Sequence, residues 1–193
     1  MQSIRSAAAA ALAKGDFQIT DDGILFPSQG ILASGEYFGR LNGGEWEKEG
    51  DNLITTEGLA HMLNVALGAT AKPAGYFLAL FSGAAAPAAN WTAASFAAAA
   101  SEITSMTEGY SAATRPAWTP GTATTGSIDN MAAVASVTIA TASSVNVTGA
   151  ALLTNNTRGG TTGVLISASK YGTARVFQNG DTYEIGYRLS LTV

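Results

Sequence analysis

The sequence predicts a mainly β chain, an antiparallel β-sandwich with one short α-helix and an extended N-terminal arm, on three observations. The last dozen residues come first. After the turn Asn179-Gly180-Asp181, the side chains of Tyr183, Ile185, Tyr187, Leu189, Leu191 and Val193 fall on one face. Thr182, Glu184, Gly186, Arg188, Ser190 and Thr192 fall on the other, the period-two pattern of a long half-buried strand. A sheet with one apolar face needs a second layer over it, hence a sandwich or barrel. Second, further short apolar runs precede this strand at roughly regular spacing: Val137 and Ile139; Val145, Val147 and Leu152; Val164 to Ile166; Arg175 to Phe177. Third, 193 residues suffice for one core with extensions but not for two full domains.

Residues 1–50 are expected to form an N-terminal arm and residues 51–193 the sandwich, with a helix at about 56–67 and a long loop at 82–127. Residues 1–15 are an Ala-rich leader with high helix propensity but no large apolar face. Its Arg5 and Ala7 to Ala11 resemble a secretion signal in outline only, because alanine is a weak apolar-core residue. From Asp16 to Trp46, short apolar clusters alternate with turn signals, and Asn42-Gly43-Gly44 is placed to turn a hairpin.

The helix starts where Thr55 or Thr56 can cap it and Glu57 sits in the first turn. Leu59, Met62, Leu63, Ala66 and Leu67 follow at helical spacing, and Gly68 ends it. Tyr76 to Phe81 reads as a core strand. The 82–127 excursion carries Trp91, Phe96, Tyr110 and Trp118, which suggests anchoring rather than a free loop. Asn155 to Gly160 is a turn, and Gln178-Asn179-Gly180-Asp181 is expected to close the last hairpin.

Charged residues make up only 12% of the chain, about half the usual share, so much surface should be hidden against other subunits or a larger assembly. The net charge of −4, with ten scattered basic residues, argues against nucleic-acid binding. No apolar run approaches the roughly 20 residues of a membrane span. With no cysteine there is neither a disulfide framework nor a thiolate metal site. The Asn-x-Thr sequons at Asn90, Asn146 and Asn155 are best explained by chance in so Thr-rich a chain.

Candidate chemistry is sparse. The single histidine, His61, lies beside the helix's apolar face and is expected to be a partly buried packing residue. Asp21-Asp22-Gly23 lacks the alternating acids and distal Glu of a calcium loop and reads as a turn. Glu45, Glu47, Glu49 and Asp51 could supply the facing carboxylates of a glycosidase, but a solvated acidic connector is the simpler reading. Gly159-Gly160-Thr161-Thr162-Gly163 lacks the lysine and following helix of a phosphate loop. No catalytic residues, cofactor or metal are therefore expected.

Several segments, in order, resemble a family of virion structural proteins of tailed bacteriophages encoded among the head genes. They are Leu41-Asn42-Gly43-Gly44-Glu45-Trp46, Asn52 to Leu59, Ala113-Thr114-Arg115-Pro116-Ala117-Trp118, Gly159 to Gly163 and the terminal Gly180-Asp181 strand. The resemblance implies a minor capsid, cement or decoration protein, a jelly-roll-like β-sandwich seated on the outer surface of a shell of major capsid protein. A homotrimer is favoured, with a dimer as the alternative, because closed symmetry matches local axes of a shell. Many equivalent sites make such binding a matter of avidity. The expected interface residues are Tyr37, Trp46, Trp91, Tyr110, Arg115 and Trp118, since aromatics and arginine dominate interface energetics; core packing is their other role. Arg115→Ala and Trp118→Ala are expected to lower capsid occupancy if these are interface residues, and to unfold the chain if they are core. The rival reading is a tail-associated, carbohydrate-binding module.

Overall fold

The structure, a computed structural model, describes residues 17–19, 25–27, 32–123 and 125–192. The Ala-rich leader and Asp21-Asp22-Gly23 lie outside the described residues. Strands β1 (Phe17–Ile19) and β2 (Leu25–Pro27) pair antiparallel, Phe17 opposite Pro27, as a two-stranded sheet in a separate unit.

The main unit is built from two sheets. One contains β3 (Leu32–Leu41), β4 (Glu47–Asp51), β7 (Gly109–Tyr110), β9 (Ser127–Asp129), β10 (Ala135–Ala140) and β13 (Thr182–Thr192), in the order β4-β3-β13-β10-β7, with β9 also on β13. The other contains β5 (Leu53–Ile54), β6 (Tyr76–Phe81), β8 (Ala117–Trp118), β11 (Val145–Leu153) and β12 (Leu165–Phe177), in the order β5-β12-β11-β6-β8. Helix α1 (Thr56–Ala66) follows β5, and α2 (Ala93–Ala100) follows β6. The chain is therefore mainly β, with two antiparallel sheets stacked as a sandwich.

Alternation built the interior. Tyr37, Val137, Ile139, Tyr183, Ile185 and Tyr187 from one sheet meet Leu78, Leu80, Val147, Leu152 and Ile166 from the other in one buried cluster. The five-stranded sheet also buries its outer face, where Phe96 and Ala100 of α2 cover Ala79, Phe81, Ala151 and Leu165. This explains the unbroken apolar run of β6: a strand covered on both sides has no solvent face. Along one side of the sandwich the sheets are tied together by Ser169 Oγ, which donates to the Asp51 carbonyl at 2.8 Å.

Four expectations need correcting. Residues 32–51 are not arm: β3 and β4 are strands of the sandwich, joined by the Asn42-Gly43 turn with φ of 50° and 70°. The 82–127 segment is not one loop, for it holds α2, β7 and β8. Helix α2 is an Ala-rich segment started by a Thr92–Ser95 capping box, so it has no polar stripe to make its period visible. The Val164–Ile166 run enters, and Arg175–Phe177 ends, the single strand β12 (Leu165–Phe177). Finally, Gln178–Asp181 is no hairpin: it carries the chain from β12 in one sheet to β13 in the other.

Helix α1 sits very close to β12. A Cβ at Gly58 would stand 2.1 Å from the Ile166 carbonyl oxygen, so only glycine permits the approach. Gly58→Ala is expected to destabilise the fold by about 1–3 kcal/mol, the usual cost of overpacking, despite alanine's better helix propensity. Chemical denaturation checks it; a stabilised variant would show that the helix can lift off without cost.

Candidate docking surface

The N-terminus of α1 is firmly fixed. Thr55 Oγ1 accepts from Gly58 N at 3.0 Å, while the Thr55 backbone N–H donates to Ile166 O at 3.1 Å. Glu57 Oε2 accepts from both Ala93 N and Leu165 N, each at 2.9 Å, joining α1, α2 and β12 through one carboxylate.

The helix so fixed turns Gly58 inward, with Met62 and Val65 half-buried, and leaves its leucines outside. Leu59 is 45% exposed, Leu63 62% and Leu67, at the C-cap, 86%. The expected apolar face therefore exists, but most of it points to water. Next to it a cavity of about 500 Å³ opens, lined by Met62, Lys72, Tyr76, Phe77 and Trp118 and reaching Leu152 and Ile166 of the core. Leu59 and Ala66 lie three before and four after Met62, so the leucine bank and the cavity share an edge on the helix surface.

The cavity wall is rigid. Trp118 donates Nε1–H to the Tyr187 carbonyl at 3.1 Å and packs edge-on against Tyr76 and Tyr187, with ring centroids 6.0 and 5.8 Å away. Tyr76 OH meets His61 Nε2 at 3.2 Å. Burial, opposed by the charge of Glu57, lowers the His61 pKa from its ordinary value and favours the neutral ring. His61 is thus the partly buried packing residue expected of it.

Of the six expected interface residues, Tyr37, Tyr110, Arg115 and Trp118 are buried within the fold, and Trp118 also lines the cavity. Tyr37 touches Tyr187 and Ser167 between the sheets, and Trp118 packs against Tyr187 in the cavity wall. Arg115 makes a two-pronged pair with Glu102, both contacts 2.7 Å and both side chains fully buried. Tyr110 lies under the Arg158 guanidinium, 3.6 Å from ring centroid to Cζ. Trp46 and Trp91 are only half-buried; Arg40 stacks on Trp46 at 4.7 Å, and Trp91 leans on the α2 cluster.

The acidic connector does not form a free carboxylate pair. Arg175 holds both Glu47, through Nη2 at 2.7 Å, and Glu49, through Nε at 3.0 Å. Hydrogen bonding to Arg175 lowers the Glu47 pKa, the reverse of what a glycosidase acid needs. Asp51 pairs with Lys48 at 2.8 Å, and Glu45 is exposed. Gly159 and Gly163 take φ of 69° and 92° in a turn whose Gly159 N–H serves Glu102, not a phosphate. Among the described residues no group of three or more acidic or histidine side chains is placed to hold a metal ion.

No protein-family model matches the chain. Nor does any curated protein sequence. What the site can do must therefore be argued from its shape: an apolar helix face and an apolar cleft, side by side on a stiff double sheet.

Sequence reasoning found α1 and Trp118 but missed the surface they make. The usable signal was Gly58: a glycine early in an otherwise good helix marks a close backbone approach, which rotates the leucines away from the core.

Proposed function

We propose that this chain is a virion structural protein that docks on the outer surface of a tailed-bacteriophage capsid and bridges major capsid protein subunits. The observation that carries the reading is the open leucine bank of α1 beside the cavity, since a domain working alone in water gains nothing by exposing it. The low charge content and the family-like segments support it. The sandwich is read as jelly-roll-like because the chain crosses between sheets repeatedly, at β10 to β11 and again at β12 to β13. Binding rather than catalysis is proposed, with a homotrimer on the head surface and neither nucleic acid nor membrane as a partner.

Imaging of virions with and without the chain tests this. Density repeated over the head at local symmetry axes, and heat-sensitive particles in its absence, is the expected result. Density only at the tail tip or neck would reject it in favour of adsorption. Leu63→Asp with Leu67→Asp is expected to lower head occupancy at least tenfold, because burying carboxylates in an apolar contact is costly. Its melting should match wild type, both sites being exposed.

A further inference from the structure

We propose that the cavity lined by Tyr76 and Trp118 receives an apolar anchor side chain from a segment of the shell protein, and that Lys72 at its mouth receives a carboxylate beside that anchor. The inference rests on the docking reading above and names the chemistry of the partner.

Three observations carry it. The first is depth: at about 500 Å³ the cavity is of ligand-binding size, and it reaches Leu152 and Ile166, each only 2% exposed. An occupant must therefore enter between the sheets. A large aromatic or aliphatic side chain does this, and such anchors in pockets carry most of the energy of protein contacts.

The second is charge. Lys72 is the single charged residue of the lining, is exposed, and forms no ion pair among the described residues. A partner that covers an ammonium without supplying an anion bears its desolvation uncompensated, so the matching segment carries an acidic group there.

The third is extent. An acyl chain or other small amphiphile would fill the cleft yet leave Leu63 and Leu67 in water. Only a polypeptide segment long enough to lie over α1 while its anchor enters the cavity covers both.

The test uses the full chain and N-acetyltryptophanate, which joins an indole and a carboxylate in one small probe. Titration followed by amide NMR should give saturable shifts at residues 72–77 and 117–120. Lys72→Glu should weaken binding by about fivefold or more. Ala117→Phe, which puts a ring at an exposed lining position, should abolish it. N-acetyltryptophanamide, lacking the carboxylate, should bind wild type and Lys72→Glu alike. Both variants should melt with wild type and coat shells poorly.

If both variants coat shells normally while the Leu63 and Leu67 variant does not, the cavity proposal falls and the docking reading stands. If wild type coats no shell, the docking reading falls, and the probe titration alone decides the anchor chemistry of the cavity. Decanoate binding far more tightly than the indole probe, without disturbing shell coating, would make this an acyl site and overturn the proposal. So would self-association in solution that Ala117→Phe abolishes, since a second copy would then be the occupant.

Discussion

Arg115→Ala is expected to cost about 3–5 kcal/mol of stability, because it strands a buried carboxylate. The Glu102 side chain is fully buried and receives Arg115 Nε and Nη2, each at 2.7 Å, and Gly159 N at 2.9 Å. Arg115 Nη1 also donates to the Asn155 carbonyl at 2.8 Å, so the pair joins the segments around 102, 115 and 155–159. Urea denaturation of purified wild type and variant gives the number. Arg115→Lys should recover only part of it, since an ammonium cannot supply the same two parallel contacts. Replacing both partners, Glu102→Met with Arg115→Met, should recover most, because the penalty lies in the unpaired charge. A loss below about 1 kcal/mol for Arg115→Ala would show that water reaches Glu102.

Above about pH 10 the protein is expected to lose stability steeply. All six tyrosines have pKa values raised above the ordinary one, chiefly by burial, with Tyr110 and Tyr187 pushed up to about 12. The unfolded chain releases these protons near pH 10, whereas the folded chain keeps them. Between the two values the native state binds more protons, so stability falls as pH rises, and it is fully present below pH 10. Each fully buried tyrosine contributes a slope of about 1.4 kcal/mol per pH unit in that window. Tyr37, Tyr171, Tyr183 and Tyr187 lie together between the sheets, where Tyr183 donates to Glu49 at 3.1 Å and Asn52 donates to the Tyr187 hydroxyl at 2.6 Å. Tyrosinate absorbance should therefore stay flat through pH 10 and then rise in one step with the loss of circular dichroism. A gradual rise centred near pH 10 in a chain that remains folded would show these hydroxyls to be wet.

Much of the architecture was legible because it follows from local chemistry. Asn42-Gly43 turns a hairpin through left-handed backbone, Thr55 caps α1, and the alternation of Tyr183, Ile185 and Tyr187 places β13 with its apolar side inward. The alternation then outlasts the core, since Leu191 is 51% exposed. β12 was hidden because Lys170, Gly172 and Thr173 interrupt its pattern where the strand passes from the buried interior to solvent. α1 was recognised but its orientation was not, because the closeness allowed by Gly58 outweighs the preference of three leucines for burial. The Glu102–Arg115 pair left no pattern at all: thirteen positions apart, the two meet only after α2 and β8 are in place.

The position of β13 bears on the order of events during synthesis. This strand lies between β3 and β10 and also holds β9, yet it is the last of them to leave the ribosome. The five-stranded sheet can pair β6, β11 and β12 while β13 is still being made, but β3, already paired with β4, must wait for its other neighbour some 140 residues downstream. Such distant pairing is slow to form, and a half-built sandwich shows the apolar side of one sheet meanwhile. A nascent chain interrupted before Thr182 would hold nearly all the strands of the finished protein and still lack the one that closes it.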